Sequence, residues 1–110
     1  MKPAQAVKAL AALAQDTRLA VFRLLVQAGP QGLAAGVIAT KLKLPAATAS
    51  FHLAQLVSAG LVKSRTQGRF VFYSVELARM NEVLTYLTEN CCGGAACEVA
   101  PARPRTAKAA

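Results

Sequence analysis

The chain alternates between segments with the apolar period of a helix and two short segments with the period of a strand. Residues 5–14, "QAVKALAALA", predict a first helix with a wide apolar face, which suits burial against a partner. Asp16 stands where an N-cap belongs, ahead of "TRLAVFRLLVQ", and the spacing of Leu19, Phe22, Leu25 and Val26 gathers them on one face of a second helix. "AGPQG", residues 28–32, interrupts the pattern. "LAAGVIATKLKL", residues 33–44, predicts a short third helix with Val37, Ile38, Leu42 and Leu44 as its apolar contacts, and Pro45 begins the next element. In "AATASFHLAQLVSA", residues 46–59, a turn of about 100° per residue collects Ala49, Leu53, Leu56 and Val57 into one buried stripe. Thr48, Phe51, Ala54, Gln55 and Ser58 point the other way, so the outward face is uncharged, and Gly60 ends the helix at its C′ position.

Two alternating runs follow, "LVKSRT" (61–66) and "RFVFYSV" (69–75), on either side of "QG" (67–68). They predict a β-hairpin with Arg65 and Arg69 at its tip and Lys63 nearby. "ELARMNEVLTYLTEN", residues 76–90, restores a helical period through Leu77, Met80, Leu84 and Leu87. The tail "APARPRTAKAA" is rich in Pro and Ala, basic, and reads as disordered.

The length of 110 residues suits one domain, and an apolar content of 55% suits a helical, globular one. No apolar run approaches the roughly 18–20 residues that span a membrane. The N-terminal stretch is interrupted by Lys8 and Gln15 and reads as an amphipathic helix, not a signal peptide, so the expected location is the cytoplasm, with thiols reduced. The formal net charge is +8, and its distribution changes the picture. Between Asp16 and Glu76 there is no acidic residue, while the interval carries Arg18, Arg23, Lys41, Lys43, Lys63, Arg65 and Arg69. Cations without anions over a folded segment point to a polyanion partner; the plainer alternative is a soluble basic surface.

The order helix, helix, short helix, turn, helix, charged hairpin, helix is that of a winged helix-turn-helix. In "SFHLAQLVSAGLVKSRTQGRFVFYSV", residues 50–75, the pattern S-x-H-L-x-x-L-x-x-A-G-L-V, then a strand, G-R and an aromatic-rich strand, resembles the ArsR/SmtB family of metal-responsive repressors. The resemblance covers residues 5–88. It implies a mainly α fold with a β-hairpin wing, a homodimer built by the first and last helices, and double-stranded operator DNA as partner, with residues 46–59 entering the major groove. The implied organisation is a winged helix-turn-helix and dimerisation domain over 1–90, a cysteine effector segment over 91–97 and a basic tail over 98–110.

The candidate DNA contacts are Lys43, Thr48, Ser50, Phe51, His52, Gln55, Lys63, Arg65 and Arg69. Several have a plainer alternative. His52, the lone histidine, suits packing or a phosphate contact better than a metal, because there is no second imidazole. Ser50 lies near the core stripe, where it can cap or pack. Gln55 faces outward and suits an adenine edge or a phosphate, and Phe51 suits a thymine methyl or a neighbouring helix. The wing cations suit phosphates or simple solvation.

"NCCGGAAC", residues 90–97, holds all three cysteines, Cys91, Cys92 and Cys97. Some members of the family carry a Cys-x-Cys pair in the helix matching residues 33–44, and others bind zinc through Asp, His and Glu on the last helix. Residues 33–44 contain no cysteine and residues 76–90 no histidine, so neither site is present. A C-terminal vicinal pair with a third cysteine resembles the arsenic-responsive members. The chemistry agrees: three thiolates without a fourth ligand suit a soft three-coordinate centre such as As(III) or Sb(III), a monomethylated arsenical such as methylarsenite needs only two of them, and structural zinc takes four ligands. A Zn, Cd or Cu site, a redox-active pair, three incidental thiols, and a non-DNA role as a metallochaperone or protein-interaction module remain the alternatives. One histidine with no carboxylate near it and no nucleophile–base pair argue against an enzyme.

Overall fold

A computed structural model describes residues 1–94. Helix α1 spans Pro3–Leu13, α2 Asp16–Ala28, strand β1 Leu33–Ala34, α3 Ala35–Leu42, α4 Ala46–Ser58, β2 Val62–Gln67, β3 Phe70–Val75 and α5 Leu77–Thr88, with a short 3-10 turn at Cys91–Gly94. The three strands form one antiparallel sheet in the order β1-β3-β2. The winged helix-turn-helix expected from the element order is the observed architecture. Among the described residues no helix is long and apolar enough to cross a membrane.

α1 starts two residues before its apolar period does, because Pro3 suits the first turn and the Gln5 side chain accepts from the Lys2 N–H at 2.8 Å. The N-cap of α2 is Gln15, not Asp16: its Oε1 accepts the Arg18 N–H at 2.8 Å, which leaves Asp16 as the first helical residue, where its charge favours the helix dipole. The third helix begins at Ala35 because Leu33 and Ala34 pair with Tyr73 and Phe72 of β3. Gly32 makes that pairing possible, since a Cβ there would lie 2.1 Å from the Tyr73 carbonyl oxygen. α3 closes on Lys43, which takes a left-handed φ of 57°, and the Leu44 N–H bonds back to Ala39 O at 2.9 Å in a Schellman-type cap. The helix-turn-helix corner is therefore Lys43–Pro45.

The core is built where the stripes of α2, α3 and α4 meet the base of the wing. Val21, Leu25, Ile38, Leu53, Leu56 and Leu61 are fully buried there, joined by Val83 from α5. The expected face of α2 is corrected: Val21, Phe22 and Leu25 are inside, whereas Leu19 and Val26 are exposed. Val57 of α4 and Val37 of α3 also face out, and His52 takes a place in the α4 stripe. On α5 the one buried side chain is Val83, while Leu77 and Leu87 are exposed.

Candidate nucleic-acid interface

α4 presents two faces. Ala49, His52, Leu53 and Leu56 are buried, and Ser50, Phe51, Ala54, Gln55 and Ser58 are exposed, with Thr48 half-buried at the boundary. Ser50 thus stands on the outward face and not beside the core. Phe51 is the one aromatic on that face, its ring edge-on to His52 with centroids 5.3 Å apart. Pro45 precedes α4, and no side chain caps its first turn, where Ala46 and Ala47 are exposed. The first N–H groups of the helix are thus available to an acceptor. Lys43 is exposed in the corner just before them. The whole face offers hydrogen-bond donors and acceptors, small residues and one aromatic, but no charge.

His52 takes the packing place, one of the two that its position on the helix allowed. It is buried, and its Nδ1 lies 3.3 Å from Arg18 Nη1. Arginine can only donate, so Nδ1 is the acceptor and the ring proton is on Nε2. Burial first, and the Arg18 charge second, push the His52 pKa below its ordinary value and keep the ring neutral. Arg18 in turn donates through Nε to Ala12 O at 2.7 Å, tying the end of α1 to α4. No local signal in the sequence announces this bridge, because its ends are 34 residues apart.

The hairpin register pairs Gln67 with Phe70, so the turn is Gly68–Arg69, one residue later than the expected Gln67–Gly68. Gly68 has φ 62° and Arg69 has no positive φ, which fits a two-residue turn with glycine in its first position. That preference is a signal the sequence contained. Arg69 is exposed at the tip, and its side chain has no hydrogen bond or ion pair among the described residues. Arg65 is held back along the wing: its guanidinium lies 5.0 Å from the centroid of Phe72, and Nη1 donates to Gln31 O at 3.3 Å. Lys63 sits at the wing base, 3.8 Å from the Glu76 carboxylate in an exposed pair that contributes little. The three wing cations are thus graded from tip to base.

After Thr88 the chain leaves the helix, and Asn90 and Cys92 take left-handed φ values of 58° and 57°. The vicinal cysteines open a short 3-10 turn, Cys91–Gly94, directly after this reversal. Cys91 is half-buried and Cys92 exposed. Cys97 and the 98–110 tail lie outside the described residues, so the expected 91–97 segment is described only in its first part. Among the described residues no group of three His, Cys, Asp or Glu side chains converges. Adjacent soft thiol donors on a tight turn suit a thiophilic ion better than an oxygen-seeking one.

A two-helix reader with an uncharged outward face, flanked by a cationic β-hairpin, defines a winged helix-turn-helix transcription regulator. The comparisons with known proteins agree. A helix-turn-helix domain model matches residues 13–65. An uncharacterized HTH-type transcriptional regulator of Methanocaldococcus jannaschii is 33% identical over 85 residues, 77% of this chain and 93% of that protein. An ArsR-like transcriptional regulator from Rhodococcus sp. RHA1 shares the fold with a TM-score of 0.70 at 27% identity, over 83% of this chain and 82% of that one. HlyU from Vibrio cholerae has a TM-score of 0.63 at 33% identity, over 79% of this chain and 97% of that one. A homodimeric winged helix-turn-helix DNA-binding domain from Mycobacterium bovis has a TM-score of 0.62 at 30% identity, over 78% of this chain and 80% of that one. The chain belongs to the ArsR family of winged helix-turn-helix transcriptional regulators, a family of DNA-binding proteins and not of enzymes.

Proposed function

We propose that the protein is a homodimeric repressor that binds an inverted-repeat operator and is released when a trivalent arsenical occupies Cys91, Cys92 and Cys97. The observation that carries the DNA reading is the division of the surface: an uncharged outward face on α4 beside a wing whose Arg69 is unpaired among the described residues. The uncharged face suits base edges and the wing suits phosphates. Lys43, Thr48, Ser50, Phe51, Gln55, Arg65 and Arg69 are the assigned contacts, with Lys63 at the margin, and His52 acts from beneath by packing on Phe51. The exposed apolar side chains of α1 and α5, Val7, Leu10, Leu77 and Leu87, support a two-fold dimer through these helices.

The thiols supply the switch. Arsenous acid condenses with three thiols, forming three As–S bonds and releasing three waters, with no net proton release. Closing that ring at the end of α5 changes how the helix sits against the partner and hence the spacing of the two α4 helices. Release requires that the ligand bind the free and the DNA-bound forms differently, and a coupling of about 1–3 kcal/mol is typical. Fluorescence anisotropy of an operator duplex tests this: arsenite releases the wild type, whereas the Cys91→Ser/Cys92→Ser variant binds DNA equally well and is not released. Normal release of that variant removes the thiols from the mechanism. Arsenite affinity stays nearly flat between about pH 6.5 and 8, while Zn²⁺, which must displace thiol protons, binds more tightly as pH rises. HlyU of Vibrio cholerae has also been solved in a reduced form, which supports thiol oxidation as the second reading; release by peroxide and not by arsenite favours it.

A further inference from the structure

The mechanism above leaves Lys8 and Arg18 without a role, and they meet in one place. A cleft of about 160 Å³ lies between α1 and α4, lined by Lys8, Ala11, Ala12, Arg18, Gln55 and Ala59. We propose that this cleft binds a phosphate oxyanion, held by the Lys8 ammonium, the Arg18 guanidinium and the Gln55 amide.

The argument begins with Arg18. Its side chain is half-buried and fixed by two acceptors, Ala12 O at 2.7 Å and His52 Nδ1 at 3.3 Å. Both acceptors are neutral, so they orient the guanidinium without cancelling its charge. Among the described residues no carboxylate lies within ion-pair distance of Arg18 or of Lys8, and none lines the cleft. Two cations facing one space with no anion repel each other, and an anion between them reverses the sign of that interaction. A guanidinium already locked in place loses little freedom when it binds, and a tetrahedral oxyanion matches its fork of donors. Gln55 contributes an amide donor from the exposed face of α4. Lys8 is exposed and lines the cleft, about 100° around α1 from Val7 and about 160° from Leu10, the two residues assigned to the dimer.

The same chemistry comes from two sources, a DNA phosphodiester or free inorganic phosphate. The first source rests on the DNA-binding reading above. It adds one backbone contact per protomer beyond the wing, at the edge of the α4 face.

Two measurements on the full chain, wild type and Lys8→Gln, decide. In the first, duplex affinity is followed by anisotropy against salt concentration. Loss of one phosphate contact in each of two protomers makes the log–log slope shallower by about 1.8, with sequence preference unchanged. In the second, inorganic phosphate is titrated at constant ionic strength into DNA-free protein while the amide signals of Ala11, Ala12, Gln55 and Ala59 are followed by NMR. Saturable shifts in the wild type that vanish in Lys8→Gln assign the site to free phosphate; a changed salt slope without such shifts assigns it to the DNA backbone. If the wild type binds duplex with a normal salt dependence, Lys8→Gln keeps the full slope and phosphate moves none of these signals, the cleft is not an oxyanion site while the DNA reading stands. If the wild type binds no duplex, the DNA reading falls, and the phosphate titration alone upholds or overturns the cleft.

Discussion

Helices α4 and α5 are of nearly equal length and each carries an apolar stripe, yet one stripe is covered by its own chain and the other is not. Leu53 and Leu56 of α4 are fully buried, whereas α5 buries Val83 and leaves Leu77 at 55% and Leu87 at 54% exposure. The difference comes from their neighbours. α4 packs against α1, α2, α3 and β2, while α5 packs chiefly on α1. An apolar stripe states that something covers the helix; it does not state whether that cover belongs to the same molecule. α4 is held rigidly enough to present a defined outward face, and α5 carries surface that the proposed dimer completes.

The largest expected effect strikes the covered helix. Leu53→Ala removes a fully buried side chain and leaves a cavity in the core, which costs about 2–5 kcal/mol in denaturant unfolding. A loss below 1 kcal/mol means that α4 is not anchored as described. Leu87→Ser tests the uncovered helix. Burying the exposed half of this leucine contributes roughly 1 kcal/mol per protomer, so two copies weaken the proposed dimer by about 2 kcal/mol, or about 30-fold in Kd by sedimentation. Unchanged association moves the dimer interface away from α5.

A smaller, pH-dependent effect concerns the histidine beneath the reading face. Its folded pKa is depressed, so the unfolded chain takes up the proton first as pH falls. The stability His52 contributes is fully present above the ordinary histidine value of 6.5 and is lost as pH drops below it toward the folded value. Urea midpoints of the wild type therefore fall between about pH 7 and 5 more steeply than those of His52→Gln, and parallel curves contradict the buried neutral ring. The smallest effect is at the corner. Lys43→Gly relieves a left-handed backbone and raises stability by about 0.5–1 kcal/mol in thermal unfolding, while removing one cation from the candidate interface.

Most of this fold was legible along the chain. The helix periods, the "AGPQG" break, the corner at Pro45 and the alternation on either side of Gly68 are local features, and the structure places helices, corner and hairpin where they predict, within a few residues at the ends. The outward direction of Phe51, Gln55 and Ser58 was legible for the same reason. β1 was not, because a two-residue strand has no period; it exists only through its pairing with β3. Nor were the individual faces of α2 and α5. In α2 the apolar residues Leu19, Val21, Phe22, Leu25 and Val26 encircle much of the helix, and only the position of α4 and β3 decides that Val21 goes in and Leu19 stays out.

The candidate site divides along the same line. Its residue types, the charge asymmetry between Asp16 and Glu76, and the clustering of the thiols are properties of order and composition, which no folding is needed to see. What each side chain does is a property of distance. His52 reads as a packing or a phosphate-contacting residue from its place on the helix, and it is Arg18, 34 positions away, that draws it into a buried bridge. Arg65 reads as a tip cation, but Phe72 and the Gln31 carbonyl hold it along the wing, which leaves Arg69 at the tip. Periodicity and chemistry act over one or two turns, so the sequence alone determines elements and inventories; partners brought together across 30 or more positions exist only once the chain has closed its loops, and they are what the tertiary structure decided.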